Sequence, residues 1–292
     1  QTLNLKINKW KKTLNTARNK RSKPNLDDKV LTSWNAIMMQ GYIDAYKSFN
    51  TQKYLEIALK NAKFILENQL NSQGRLYRNF KNDRSTINAY SEDYATVIKS
   101  FISLYEVTFD EKWLFNAKKM TNYLMLHFFD EKSGLFFFTS DEDERLIAKK
   151  YEIIDGVIPS SNSMMANNLF KLGHYFTDKK YLNISEQMLN NLKNTIKMNP
   201  YNYSNWLNVM TNYTKPFYEV VVVGEKANEM NSILTNTYLP NTIFAGATKD
   251  NSNVPLLLNK FNEDETFIYV CVNGTCKLPQ TDVKEAINSI QK

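Results

Sequence analysis

Two kinds of helix alternate along this chain, and that alternation restricts its fold more than any other feature. Segments 32–49, 91–108 and 160–177 carry apolar residues on most faces. Segments 52–70, 111–127 and 180–197, each reached through a short polar turn, are apolar on one side only. A helix that is apolar all round must be covered by protein everywhere, whereas a one-sided helix can face water. Concentric layers satisfy both demands, with inner helices lining a centre and outer helices wrapping them. The pattern therefore predicts a mainly α chain, a partial α/α toroid of helical hairpins, with one more helix near 203–214. An irregular helical bundle is the other arrangement that periodicity permits. Three hairpins fall short of a closed ring of six. The chain also opens at Gln1 directly into a helical pattern, so it is expected to be a fragment lacking its first hairpins.

Eight glycines and seven prolines in 292 residues agree with helices and few tight turns. The net charge of +7 comes largely from the N-terminal stretch, where Lys6, Lys9, Lys11, Lys12, Arg18, Lys20, Arg21 and Lys23 precede any acid. Leu3, Ile7, Trp10 and Leu14 recur there at helical spacing and predict an amphipathic helix with a solvated basic face. No zinc finger, RNA-binding signature or aromatic-interleaved basic stripe accompanies it, so no nucleic-acid partner is expected. No apolar run reaches the ~20 residues of a membrane span. The expectation is a soluble, cytoplasmic protein without a membrane partner.

After Lys215 the texture changes. "YEVVVVGEK", "NTIFAGAT" and "TFIYVCV" read as strands and "DVKEAINSIQK" as a closing helix. The expected organisation is a helical domain over 1–215 and a small C-terminal α/β lobe over 216–292. Its strands are apolar runs, which predicts a sheet covered on both faces. In "YVCVNGTCKL" the Asn273-Gly274 pair is a strong two-residue hairpin turn that places Cys271 opposite Cys276. In a non-hydrogen-bonded pair the Cα atoms approach to about 4.5 Å, so a disulfide is sterically allowed. A reduced thiol pair is the alternative that an intracellular location favours.

Polar residues gather where each inner helix begins. Asp27, Asp28, Lys29, Thr32, Ser33, Trp34 and Asn35 open the first, Ser91, Glu92, Asp93 and Tyr94 the second, and Asp155, Ser160, Ser161 and Asn162 the third. Inner helices of antiparallel hairpins all start at one end of a ring, so the clusters are expected to converge on one mouth. Helix N-termini there favour anionic or hydroxyl-rich ligands. Ordinary capping accounts for any one cluster alone. "DDK" before Trp34 supplies more side chains than a cap needs, its structural rival being a buried ion pair of Asp28 with Lys29 or Arg78. His127 and His174 fall away from this mouth. Two histidines and two cysteines offer no metal-ligand spacing, and no cofactor-binding motif is present.

The segments "KPNLDDKVLTSWNAIMM", "SEDYATVIKSFISLYEVTFDEKWL", "FFDEKSGLFFF", "DGVIPSSNSMMANNLFKL" and "YVCVNGTCKLP" resemble, in order, the C-terminal part of the bacterial YyaL and spermatogenesis-associated protein 20 family. The resemblance implies an N-terminal thioredoxin-like domain elsewhere in the protein. It also implies a helical toroid similar to six-hairpin glycosidases and N-acylglucosamine 2-epimerases, with a carbohydrate-like site at the ring's mouth.

Glycoside hydrolysis needs two carboxyl groups flanking the bond to be cut. Asp28 and Asp93 are the candidates, with Asp155 third. Trp34 and Tyr94 are candidates for stacking on a sugar ring, and Lys29, Asn35, Arg78, Ser160 and Asn162 for binding its hydroxyls. The competing expectation is a non-catalytic module that binds a ligand or the thioredoxin-like domain. An opened ring would expose inner-helix surface, so homodimer formation is also expected.

Overall fold

The computed structural model describes residues 2–144 and 147–291; Arg145 and Leu146 lie outside the described residues. Helix α1 spans Thr2–Asn19, and strand β1, Val30–Leu31, leads into α2, Thr32–Phe49. Then come α3 (Gln52–Asn68), β2 (Asn79–Lys81) and β3 (Arg84–Ser85). The second hairpin is α4 (Ser91–Thr108) and α5 (Glu111–His127), followed by β4 (Phe129–Asp130) and β5 (Leu135–Phe136). The third is α6 (Ser161–Tyr175) and α7 (Lys179–Met198), and α8 (Ser204–Thr214) follows.

The layering follows from the two helix types. Helix α4 packs against α2 on one side and α6 on the other, while α3, α5 and α7 each cover their own inner partner. Helix α8 lies against α6 and α7. Most of α4 is buried, including Tyr94, Ile98, Phe101 and Tyr105 with no exposure at all. Outer helices keep one wet face and start on local caps. Asp110 accepts from the Lys112 N–H (3.2 Å) and Asp178 from the Lys180 N–H (2.9 Å).

Helix α1 departs from the amphipathic expectation in one respect. Its basic face is solvated, but its apolar stripe is also open, with Leu3, Trp10 and Leu14 more than half exposed and no residue of the helix buried.

Beyond Lys215, β6 (Tyr218–Val223), α9 (Ala227–Asn236), β7 (Thr242–Ala247), β8 (Phe267–Val272), β9 (Thr275–Cys276) and α10 (Val283–Gln291) complete the chain. The sheet order is β7-β6-β8-β9, with β7 parallel and β8 antiparallel to β6. Alternation explains the apolar runs. Val221, Val223, Ile243 and Ala245 join the core of the helical hairpins, while Val220, Val222, Phe244 and Ile268 face Ala227, Leu234, Ala286 and Ile290 of α9 and α10. Gly246 is required in β7, because a Cβ there would lie 2.3 Å from the Phe109 ring at the end of α4. Cys271 faces Cys276 across the Asn273-Gly274 turn, and the two are joined as a disulfide rather than left as reduced thiols.

Two tryptophans separate what holds the fold from what rides on it. Trp206 of α8 is fully buried and donates to the Ile153 carbonyl (2.9 Å), so Trp206→Ala is expected to cost about 3–5 kcal/mol in urea denaturation. Trp10→Ala, at a 57% exposed position, is expected to cost less than about 0.5 kcal/mol. Comparable losses in the two variants would place α1 against the core.

Candidate functional site

A helix covered on all sides leaves its first backbone N–H groups out of reach of water, so acceptors must come from the protein itself. At the head of α4 that acceptor is Asp93, fully buried. Its Oδ1 accepts from the Ser33 N–H at the start of α2 (3.0 Å), and its Oδ2 from the Tyr90 N–H (2.9 Å) and from Arg78 Nη1 (3.0 Å). The Arg78 guanidinium lies over the Tyr90 ring (4.6 Å) and 4.0 Å from Glu92. Burial pushes the Asp93 carboxyl up to about 6, against the pull of Arg78 and the two N–H groups.

The next helix start is built the same way. Asp155 Oδ1 accepts from the Ser160 N–H (2.9 Å) and the Ser163 hydroxyl (2.7 Å), and Oδ2 from the Asn205 N–H (2.8 Å). Asn162 exchanges two bonds with the Phe136 backbone (2.8 and 2.9 Å) and donates to the Glu152 carbonyl (2.9 Å). Ser160 caps α6 by accepting from the Ser163 N–H, and its hydroxyl donates to the Ile153 carbonyl. Ser91 and Ser161 join the heads of α4 and α6 by one bond of 2.9 Å. The leading turns of α2, α4, α6 and α8 therefore touch, each through a side chain of its neighbour.

Other residues singled out from the sequence fall elsewhere. The buried ion pair anticipated for Asp28 is absent: its side chain is half exposed and pairs with Lys81 (2.5 Å), while Lys29 pairs with Asp27 (3.3 Å). Contact with Lys81 holds the Asp28 carboxyl below its usual range. Tyr94 offers no open ring for stacking. It is wholly buried against Tyr123 and Phe128, and its hydroxyl accepts from the Leu76 N–H (2.8 Å). Asn35 bonds back to the Leu31 carbonyl (2.8 Å). Trp34 is 67% exposed and free to meet a ligand.

Below the joined turns runs a groove of about 260 Å³ between α2, α4 and the residues leading into α6, lined by Gln40, Asp44, Thr96, Lys99, Ser100 and Met164, with Ile37 and Gly41 at its α2 edge. Trp34, Ile37, Gly41 and Asp44 recur at intervals of three and four and share one face of α2. Glu92, Thr96 and Lys99 do the same on α4. Trp34 and the Arg78–Glu92 pair thus continue the two walls of the groove toward its opening. Gln40, Asp44, Thr96 and Lys99 were not singled out from the sequence, whereas Glu92 was marked there only as part of the cluster opening the second inner helix. The signal available was a lysine inside a helix otherwise apolar all round.

Among the described residues, no group of three metal-ligating side chains is close enough to hold an ion. No helix among them is long and apolar enough to cross a membrane.

The family model of the beta-L-arabinofuranosidase GH127 catalytic domain matches residues 9–198. Spermatogenesis-associated protein 20 of Homo sapiens is 26% identical over 296 residues, which cover 94% of this chain and 38% of that protein. An uncharacterised protein of Caenorhabditis elegans is 29% identical over 183 residues, 60% of this chain and 25% of its own. The chain thus spans well under half the length of these relatives. The GH76 alpha-mannanase BT2949 of Bacteroides thetaiotaomicron superposes with a TM-score of 0.52 at 16% identity, covering 79% of this chain and 66% of its own. That likeness extends to the fold, a glycosidase-like ring of helical hairpins.

The pH dependence of Asp93 can be checked directly. Its folded pKa lies above its unfolded one, so the folded state binds the extra proton and stability falls as pH rises from about 4 to about 6. With the carboxyl at about 6, the loss is on the order of 3 kcal/mol. Urea denaturation of Asp93→Asn across this range is expected to lack that fall; an unchanged pH profile would show that Asp93 ionises normally.

Proposed function

This chain belongs to the family of the beta-L-arabinofuranosidase GH127 catalytic domain, and on that premise we propose that it binds a carbohydrate in the groove between α2 and α4. The carrying observation is the division of labour around the opening. The polar groups buried there, Asp93, Asp155, Ser160 and Asn162, have their hydrogen-bonding capacity spent on neighbouring backbone and, for the two aspartates, on Arg78 and the Ser163 hydroxyl. Trp34, Arg78 and Glu92 line the approach, and Gln40, Thr96 and Lys99 the floor. An exposed indole beside hydrogen-bonding groups is the combination a sugar needs, since a sugar has an apolar ring face and a polar rim.

Binding is favoured over hydrolysis by the state of the three carboxylates that the sequence marks. Asp93 and Asp155 are enclosed and bonded to helix starts, and Asp28 is tied to Lys81 on the exposed loop before β1. In the common inverting and retaining courses two carboxyls flank one glycosidic bond. In this reading Asp93 is a positioning residue that holds Arg78 and the first turn of α2.

The chain is expected to bind p-nitrophenyl β-L-arabinofuranoside, followed by titration calorimetry, without releasing nitrophenol. Trp34→Ala, an exposed change that leaves the fold intact, is expected to weaken binding about tenfold, or ~1.4 kcal/mol. Undiminished affinity in that variant would remove the groove reading. Nitrophenol release that Asp28→Asn abolishes would replace binding by hydrolysis.

A further inference from the structure

The floor of the groove holds a charge that makes no ion pair among the described residues. Lys99, in the third turn of α4 and mostly buried, has no hydrogen-bond or ion-pair partner among the described residues. Lys171 and Lys47 do: they close on the two oxygens of Glu106 at 3.1 and 2.9 Å. Beside Lys99, the Oε1 of Gln40 is buried without a donor, while its Nε2 donates to Asp44 Oδ1 (2.9 Å). Among the described residues, the one carboxylate lining the same cavity, Asp44, makes no ion pair with Lys99 and instead accepts from Gln40 Nε2. An ammonium or an amide oxygen is costly to leave unsatisfied away from water.

We infer that the ligand of this groove carries a carboxylate together with hydroxyls, as a uronic-acid sugar does, with the carboxylate on Lys99 Nζ. The inference rests on the carbohydrate reading of the groove and names the sugar class. Two other charged groups bear on Lys99. Asp44 is exposed at the groove's solvent edge, where water screens it, and Lys171 is already balanced by Glu106. Lys99 is therefore the charge at the floor that is left without a close counter-ion among the described residues. Burial, reinforced by Lys171 and opposed by Asp44, draws the Lys99 ammonium below the usual lysine range, and a bound carboxylate would oppose that shift. At about 260 Å³ the cavity has room for one sugar ring rather than a chain of them.

The test is saturation-transfer NMR and calorimetry on the whole chain with two matched pairs, D-glucuronate against D-glucose and D-galacturonate against D-galactose. The uronates are expected to bind at least tenfold tighter than the neutral sugars. Lys99→Met is expected to abolish that preference, bringing uronate and neutral-sugar affinities together, and Lys99→Arg to retain it. Should Lys99→Met not fold, Lys99→Gln serves the same purpose. Equal affinity for acid and neutral sugars would overturn the inference and leave the groove reading standing. A uronate preference that survives loss of Lys99 would also overturn it. If no sugar binds and Trp34→Ala changes nothing, the groove reading falls as well.

Discussion

The demand that buried helix starts find acceptors inside the protein organises the rest of this structure. Helices α2, α4 and α6 are packed against other elements where they begin, so water cannot complete their first turns. Asp93 meets the demand for α2 and α4 together, because its two oxygens take one N–H from each and the Arg78 guanidinium as well. Asp155 repeats the arrangement between α6 and α8. A carboxylate has about four lone-pair positions, so one side chain can join two helix starts where a serine could cap only one. The ring of leading turns follows from that chemistry.

The opposite pole of α4 is held by a different balance. Glu106, buried near the helix end, meets Lys47 of α2, Lys171 of α6 and the Tyr175 hydroxyl. Burial alone would raise its carboxyl, yet the ammonium groups of Lys171 and Lys47 hold it down at about 2. The lobe is fastened at this pole, through the Asn231 amide on the Glu106 carbonyl (2.8 Å), the Tyr175 hydroxyl on the Phe244 carbonyl (3.0 Å) and His174 against Glu219 (2.6 Å). With α4 pinned at both ends, the groove beside it has walls that do not depend on a ligand. The side chains facing that groove are therefore distinct from those that hold it open, and Glu92 beside Asp93 shows how sharply two adjacent positions can divide between the two tasks.

The helices and their order were legible in the sequence because burial imposes a pattern on every turn. Segments 32–49, 91–108 and 111–127 coincide with α2, α4 and α5. That the polar clusters mark helix starts was legible as well, since capping chemistry is local. Which of their members meet solvent was not. Tyr94 and Trp34 are both aromatic residues in the first turns of inner helices, yet one is sealed against Tyr123 and Phe128 and the other projects into solvent. Nothing within four residues of either separates them; the difference lies in the outer helix that covers one and not the other. Asp28 likewise gave no sign of choosing Lys81, which a hairpin brings to it from the next segment.

The amino-acid sequence by itself determined the mainly helical class, the alternation of inner and outer helices, the apolar strands that follow and the turn that brings Cys271 to Cys276. All of these arise from residues close together along the chain, where spacing and conformational preference act directly. Only the tertiary structure decided which carboxylates are consumed in joining helix starts, which pole anchors the sheet, and that Lys99 lines a cavity without an ion-pair partner among the described residues. Those outcomes depend on distances between side chains many residues apart and on the water that packing excludes, and neither quantity is written in local order.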